Sequence, residues 1–216
     1  MMTKTEKIYE LLKDTYPDAK CGLDYTTPFQ LLVSTMLSAQ ATDKSVNKVT
    51  EELYMQYPDL DSFLKLSQDE IEEKIRKIGL YKNKAKNIYL MCRELKCKYN
   101  GVVPQNMEDL MKLPGVGRKT ASVVLVEAFH IPAFPVDTHV FRISRRLGLS
   151  KSTTADKVSD DMMKKFPKYK WHLLHHLLIT HGRATCTAKK PKCPDCSVRD
   201  VCDYYKKVHI NSLNNL

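Results

Sequence analysis

The feature that most restricts the fold is a glycine-rich octapeptide at positions 113–120, which reads Leu-Pro-Gly-Val-Gly-Arg-Lys-Thr. Ahead of it, Asn106 can cap a short helix whose apolar residues have helical spacing. After it, positions 120–129 are small and apolar, as expected of a buried helix. The octapeptide therefore predicts a tight turn between two helices, that is, a helical hairpin.

The turn has the chemistry of a phosphate site. Pro114 presets φ for a turn, while Gly115 and Gly117 permit positive φ and leave no Cβ, so backbone amides can approach a ligand closely. These amides lie at a helix N-terminus, where the dipole favours an anion. A turn without a ligand is the simpler alternative. Arg118 and Lys119 follow at once, and 35 basic against 25 acidic residues give a net charge of +10, which favours a polyanion.

Helical patterns continue along the rest of the chain. Thr27 and Pro28 form a typical helix start, with a capping side chain and proline at the first helical position. Gly79 and Gly182 are predicted to end two later helices. Strand-like alternation is essentially absent, and the tail from Asn211 is predicted to be disordered. The sequence therefore predicts an all-α protein.

Length and composition exclude several classes of protein. With 216 residues, of which 43% are hydrophobic and 28% charged, the chain can bury an ordinary core in one or two lobes. Its longest apolar runs are far shorter than the roughly 20 residues that a membrane span needs. The first residues lack the apolar segment of a signal peptide. We therefore expect a cytoplasmic or nucleoid-associated protein with no membrane partner.

The seven cysteines form two groups. Cys21, Cys92 and Cys97 are scattered and are interpreted as inert thiols. The other four follow the spacing C-x6-C-x2-C-x5-C in one short stretch, which indicates a metal site rather than a secreted disulfide framework. Spacing alone leaves zinc and iron-sulfur open, because only one short zinc-type knuckle is present. The four predicted ligands are Cys186, Cys193, Cys196 and Cys202.

Two further residues are candidates for catalysis. Lys119 would stand in the first turn of the second hairpin helix, where the dipole and Arg118 disfavour its protonated form. A neutral amine can attack carbon, although a surface lysine contacting phosphate is the simpler interpretation. Asp137 follows a proline-rich connector that would hold its carboxylate rigidly, and it is also a good N-cap for the next helix. Both roles of Asp137 stay open at this point.

Five separate features together resemble one family, the DNA glycosylases of the endonuclease III type. The matching segments are 37–43 (Leu-Ser-Ala-Gln-Ala-Thr-Asp), 79–81 (Gly-Leu-Tyr), 113–121, 136–140 (Val-Asp-Thr-His-Val) and the four clustered cysteines. The likeness spans roughly positions 28–202. Ser122, where asparagine is expected, is a small departure.

The resemblance implies a bifunctional DNA glycosylase and abasic-site lyase of base excision repair. Such an enzyme removes oxidised pyrimidines from duplex DNA after the damaged base leaves the stack. Lys119 would form the Schiff base, Asp137 would be the catalytic aspartate, and β-elimination would cut the strand 3′ of the abasic site. The four cysteines would carry a 4Fe-4S cluster.

The resemblance also implies which residues meet DNA. Gln40 and Leu80 are the family's filling and wedging positions, although by sequence alone they are a loop amide and an apolar helix end. The full set of expected DNA contacts is Gln40, Leu80, Gly115, Val116, Gly117, Arg118, Lys189, Lys190 and Lys192. Expected substrate-pocket residues are Ser38, Asp43 and His139. Arg142, Arg145 and Arg146 are either a solvated face or phosphate contacts, and the second interpretation is preferred.

The expected architecture is a monomer with two helical lobes. Residues 21–134 form a central lobe with the helix-hairpin-helix, and residues 1–20 and 135–216 form a second lobe with the cluster loop at 186–202. The active site is predicted between them, with Lys119 and Asp137 on opposite sides. An adenine-mismatch glycosylase is the nearest alternative enzyme, which Lys119 and the short tail argue against. A non-catalytic DNA-binding module with a structural metal is the alternative from another class.

Overall fold

The computed structural model describes residues 2–213, with side chains through Val208. Within this range the chain is helical and contains no strand, which confirms the all-α prediction. A short 3-10 turn covers Arg199–Val201. The α-helices are α1 Lys4–Thr15, α2 Pro28–Leu37, α3 Asp43–Gln56, α4 Leu60–Phe63, α5 Gln68–Lys74, α6 Tyr81–Tyr99, α7 Met107–Lys112, α8 Arg118–Phe129, α9 Thr138–Arg146, α10 Ala155–Lys165, α11 Lys168–Ala184 and α12 Asp203–Leu213.

The chain divides into two compact units. The central unit is Gly22–Ile131 and contains α2 to α8. The terminal unit combines the segment before Gly22 with the segment after Ile131, so α1 packs with α9 to α12 although most of the chain separates them in sequence.

The central unit is built around α2. Every residue from Phe29 to Leu37 is buried, and α2 packs against α3, α6 and α8. In α8, positions 121–126 are buried as well. Because α2 and the middle of α8 are buried, these two helices form the central layer of the unit, and the hairpin turn lies at the start of α8.

The terminal unit has its own core. Ile8 and Leu12 of α1 meet apolar residues of α9 to α11, among them Ile143 and Leu177. A Cβ on Gly182 would lie 2.8 Å from both His139 Nδ1 and Ile143 Cδ1. The prediction that Gly182 ends α11 is therefore wrong: α11 continues to Ala184, and the missing side chain lets α9 approach it closely.

Two other predicted boundaries differ from the structure. The helix that begins after Ser67 ends at Lys74, before Gly79, because Ile75 and Ile78 enter tight turns in which Ile78 N–H bonds the Ile75 carbonyl at 2.8 Å. α12 extends through Leu213, so predicted disorder from Asn211 is wrong for residues 211–213, while 214–216 lie outside the described residues. Among the described helices, none combines the length and apolarity needed to cross a bilayer.

Candidate nucleic-acid interface and catalytic residues

The predicted hairpin turn is present in the central unit between α7 and α8. Asn106 caps α7 by accepting a hydrogen bond from Asp109 N–H at 2.8 Å, as its sequence position predicts. Leu113 and Val116 anchor the turn by their burial, and the Val116 N–H donates to the Leu113 carbonyl at 3.1 Å. The turn is therefore held from beneath by apolar side chains, while its glycines stay at the surface.

The two turn glycines are required for different reasons. Gly115 has a φ of +76°, and a Cβ there would lie 2.7 Å from Asn87 Cβ, so both its conformation and its packing demand glycine. Gly117 has a φ of −94°, which any residue can adopt, so positive φ is a wrong expectation for it. A Cβ on Gly117 would meet nothing within 4 Å. Its bare backbone faces open space, as close approach of a ligand requires.

Gly117 is also the N-cap of α8, and it supplies no side-chain acceptor to the first turn of that helix. Arg118 and Lys119 are the first two helical residues and are half-buried. An anion bound at this end would meet the positive end of the helix dipole and two basic side chains.

Four exposed residues of the central unit other than glycine adopt the left-handed backbone conformation. Asn100 and His130 are the C-caps of α6 and α8, whereas Gln40 and Leu80 lie before helices. Gln40 has a φ of +56° in the loop after α2, and Leu80 has a φ of +60° at the start of α6. The side chain of Leu80 stands at the surface, since the residue is 58% exposed. For residues other than glycine this conformation costs roughly 1–2 kcal/mol, so the surrounding structure must impose it.

Lys84 lies close to both positions, and sequence reasoning missed it. Its side chain is 6% exposed, and Nζ donates to the carbonyls of Leu37 at 2.8 Å and Ala39 at 2.6 Å. Burial lowers the pKa of this ammonium group. A signal was available in the sequence, because Lys84 lies four residues before the buried Ile88, on the apolar face of α6.

Asp137 lies in the terminal unit and is the N-cap of α9. Its Oδ1 accepts a hydrogen bond from Val140 N–H at 2.8 Å, which confirms the capping interpretation. The buried connector before it is tied down at two carbonyls: Ser159 Oγ donates to Phe134 O at 2.8 Å, and His175 Nδ1 lies 2.9 Å from Pro135 O. The half-buried carboxylate is therefore held rigidly, as predicted for a catalytic group.

The three expected pocket residues have separate surroundings. Ser38 Oγ donates to the Thr35 carbonyl at 2.8 Å, and Asp43 is the first residue of α3 and packs beside Gly22. His139 contacts α11 at Gly182, and its Nδ1 lies 3.1 Å from Arg142 Nη2. These contacts fix the backbone around each residue, and none of them identifies a base pocket.

The four clustered cysteines line one cavity in the terminal unit, together with Arg146 and His181. All four are free thiols. Burial first, and neighbouring cysteines second, raise the pKa of Cys193, and burial raises that of Cys196 to about 11. Four thiolates in this setting need a cation to neutralise them, so the donor set fits a thiolate-bound metal centre.

Arg142 and Arg146 bind the loop that begins at Cys186. Arg142 donates to the carbonyls of Gly182 and Cys186, each at 3.0 Å. Arg146 donates to Cys186 Sγ at 3.3 Å, to Thr187 O at 2.8 Å and to Ala188 O at 3.0 Å. These bonds tie both guanidinium groups to the loop, so the structure gives Arg142 and Arg146 a loop-holding role, and phosphate contact by either stays a prediction.

The lysines of this loop, in contrast, are exposed. Arg142 and Arg146 bind the backbone of the loop just before these lysines. The loop therefore has a fixed backbone and three exposed cationic side chains, those of Lys189, Lys190 and Lys192. This exposure is compatible with the phosphate contacts expected of the three lysines.

Comparison with known proteins gives one consistent result. Residues 33–168 match the family model described as the HhH-GPD superfamily of base excision DNA repair proteins. The chain is similar to the endonuclease III of a Synechocystis strain, with 49% identity over 200 residues that cover 92% of this chain and 91% of that protein. Two solved structures share its fold with a TM-score of 0.90 and 45% identity over 97% of this chain. One is a non-covalent endonuclease III–DNA complex, of which 99% is covered, and the other is a trapped endonuclease III–DNA covalent intermediate, of which 100% is covered.

Proposed function

Because the chain belongs to the HhH-GPD superfamily of base excision DNA repair proteins, and within it to the endonuclease III family, we propose that it is a bifunctional DNA glycosylase and abasic-site lyase. Its proposed substrates are duplexes containing oxidised pyrimidines or abasic sites. The observation that carries this proposal is the hairpin turn, where the open backbone of Gly117 and the half-buried Lys119 share one helix N-terminus.

The turn is proposed to hold a DNA phosphate. Amides of the first turn of α8 would bind phosphate oxygens, and Gly115, Val116, Gly117 and Arg118 would form the contact surface. Such contacts carry no sequence information, so they suit an enzyme that must search all DNA. Their value for the chemistry is positional. A phosphate bound at the turn would hold the DNA sugar at a fixed distance from the amine of Lys119.

Lys119 is the proposed nucleophile. Its neutral amine attacks C1′ of the extruded nucleotide, the C1′–N bond breaks, and the base leaves with the bonding electrons and takes up a proton. The amine loses a proton, the C1′–O4′ bond breaks, and O4′ takes up a proton. An iminium ion that links Lys119 to C1′ remains. This cation acidifies the 2′ hydrogen, and loss of that proton expels the 3′ phosphate. Water then hydrolyses the imine and restores the amine.

Asp137 is proposed to assist this sequence from a fixed position. An ionised carboxylate stabilises the positive charge that develops on the sugar as the base departs, and it can accept the proton released by the lysine. The Val140 N–H bond to Oδ1 leaves Oδ2 of the carboxylate for that purpose. The catalytic role of Asp137 stays a prediction, and a matched pair of substitutions described below tests it.

The four cysteines are proposed to hold a 4Fe-4S cluster. Such a group supplies a covalent link among Cys186, Cys193, Cys196 and Cys202, which staples the lysine-bearing loop. Zinc is the alternative for an all-thiolate set. Iron analysis of the purified protein distinguishes them, because the proposal requires a brown protein containing about four iron atoms per chain. We further propose that the protein acts at the nucleoid in the cytoplasm, a location that a DNA repair role supports.

Borohydride trapping tests the proposed chemistry. Reduction during incubation with a duplex containing one oxidised pyrimidine is expected to link the native protein covalently to DNA, because it converts the imine to a stable amine. Lys119→Ala should give no adduct, whereas Lys13→Ala, which removes an exposed lysine of α1, should react normally. An adduct with Lys119→Ala, or none with the native protein, would refute the lyase. A duplex with adenine opposite oxidised guanine tests the adenine-mismatch alternative.

A further inference from the structure

One buried lysine connects Gln40 and Leu80, two of the four left-handed residues other than glycine in the central unit. Lys84 N–H donates to the Leu80 carbonyl at 3.1 Å, which is the first backbone bond of α6. The side chain of the same residue reaches the carbonyls of Leu37 and Ala39, and the Ala39 carbonyl belongs to the peptide that joins Gln40. Lys84 therefore bridges Gln40 and Leu80. Its backbone N–H binds the Leu80 carbonyl, and its side chain binds the carbonyl of the peptide that joins Gln40.

The bonds of Lys84 suit a holding role. Leu37 is the last residue of α2, so the ammonium group sits at the negative end of that helix and satisfies a carbonyl there. Its second bond lies within the loop, one peptide before Gln40, where backbone strain is stored. Hydrogen bonds from a buried charged donor are among the stronger ones in proteins, and they are directional.

Two features of the region around Lys84 are energetically unfavourable. Gln40 and Leu80 both sit in a conformation that disfavours side chains other than glycine, and an ammonium group is removed from water. The apolar side chain of Leu80 is exposed in addition. Glycine at either position would remove the conformational cost there. Because backbone strain is retained at Gln40 and Leu80, whose side chains are exposed, the orientation of these side chains is inferred to be functional.

We propose that Lys84 is a positioning residue that fixes Gln40 and Leu80 relative to each other, so that both side chains enter one gap in a DNA duplex where a nucleotide has left the stack. The inference rests on the proposed function, which supplies the gap. In the duplex, the amide of Gln40 can hydrogen-bond to the base that has lost its partner. The side chain of Leu80 can insert between the neighbouring bases. Insertion of both requires their spacing to match the DNA before binding, since ordering them during binding would reduce affinity.

Paired binding measurements on the full-length protein test this role. The probes are a duplex containing one tetrahydrofuran abasic analogue and the same duplex undamaged. Lys84→Met, which keeps the length of the side chain but removes its donors, is expected to lower the native preference for the abasic duplex at least tenfold. Its affinity for undamaged duplex should stay within about threefold, because that affinity depends on phosphate contacts. Lys86→Met removes an exposed lysine from the same helix and should retain the preference.

A double-substitution cycle separates positioning from general stabilisation. If Lys84 acts through Leu80, Lys84→Met should have little further effect on the preference once Leu80→Ala is present. If the two substitutions instead lower the preference for the abasic duplex by independent factors that multiply in the double variant, the inference is overturned. All variants are compared below their melting temperatures, since Lys84→Met will also melt earlier. If it does not fold, the shorter and uncharged Lys84→Gln replaces it, and an unchanged preference in that variant together with a lowered melting temperature would count against positioning.

The controls distinguish failure of the inference from failure of the proposed function. A native protein that binds both duplexes equally would refute the proposed function and the inference with it. A native preference for the abasic duplex that Lys84→Met leaves intact would refute the inference alone. Fluorescence of 2-aminopurine placed opposite the abasic analogue gives a second readout. It should change when the native protein binds, and change less with Lys84→Met at saturating protein.

Discussion

Asp137 illustrates how one residue serves both the fold and the proposed chemistry. Its Oδ1 is engaged by Val140 N–H as the cap of α9, and the preceding connector is buried and hydrogen-bonded. A carboxylate that caps a helix loses its freedom to move, and that rigidity is also what a group needs if it must face a reacting sugar. The two interpretations that the sequence leaves open are therefore compatible.

Substitution of Asp137 can separate capping from catalysis. Asp137→Asn keeps a good N-cap, so the free energy of unfolding should change by less than about 1 kcal/mol. Asp137→Ala should lose about 1 kcal/mol. Both should reduce the rate of base release about 100-fold or more, because neither supplies a negative charge. Single-turnover kinetics and denaturant unfolding provide the two measurements. Full activity in Asp137→Asn would leave only the capping role.

At this scale the sequence predicts caps well and buried charges poorly. Asn106 and Asp137 are correctly identified as caps because the bond they make spans only three residues. Helical spacing places Lys84 on the apolar face of α6, but its partners are not predictable in the same way, because one lies at the end of α2, 47 residues away in sequence. The loop-holding role of Arg142 and Arg146 is missed for the same reason, since the carbonyls that they bind lie 40 to 44 residues ahead.

The hairpin between α7 and α8 gives an element-level prediction from its two glycines. Gly115→Ala must place a Cβ against Asn87 at positive φ, and it should cost about 1–3 kcal/mol of unfolding free energy. Gly117→Ala meets open space at an ordinary φ, so it should cost less than about 1 kcal/mol. Its Cβ would nevertheless stand where a phosphate must approach, and affinity for duplex DNA should fall about tenfold.

Melting temperatures and DNA titrations of the two hairpin variants check this contrast. The informative comparison is Gly117→Ala, because it separates a binding surface from a simple turn. If this variant folds normally and binds DNA with native affinity, the hairpin backbone has no ligand. A large loss of stability in Gly117→Ala would contradict the open space described at that position.

The bonds between α9 and the cysteine loop give a second prediction at this scale. Arg146→Met removes donors to Cys186 Sγ and to two carbonyls of the loop, so iron should be lost about tenfold faster on mild heating. Arg145→Met is the matched control, because Arg145 is exposed and its guanidinium lies over the Phe141 ring. Bleaching of visible absorbance measures the loss. Equal rates for the two variants would contradict the role of Arg146.

Helix starts are more predictable than helix ends. The starts of α2 and α7 follow local capping patterns that the sequence displays. Gly182 has the sequence context of a helix end but lies inside α11, because its lack of a side chain serves the approach of α9. A glycine in a helical pattern has two uses, and only the position of the partner helix decides between them.

For the whole molecule, the net charge of +10 predicts DNA binding that weakens steeply with salt. Replacement of Lys189, Lys190 and Lys192 by methionine should reduce the slope of log affinity against log salt by about 0.9 for each phosphate that the variant no longer neutralises. The same number of charges removed at Lys151, Lys157 and Lys164, which are also exposed, should leave the slope unchanged. Identical slopes for both triple variants would show that the loop lysines contribute only overall charge.

The split construction of the terminal unit also has an effect during synthesis on the ribosome. α1 emerges first, but its partner α11 is translated on the order of ten seconds later. The whole central unit is completed within that interval, so the hairpin can form while Ile8 and Leu12 of α1 still lack their core. The apolar residues of α1 therefore stay exposed on the nascent chain until α11 is made, and such a segment is suited to transient capture by a chaperone.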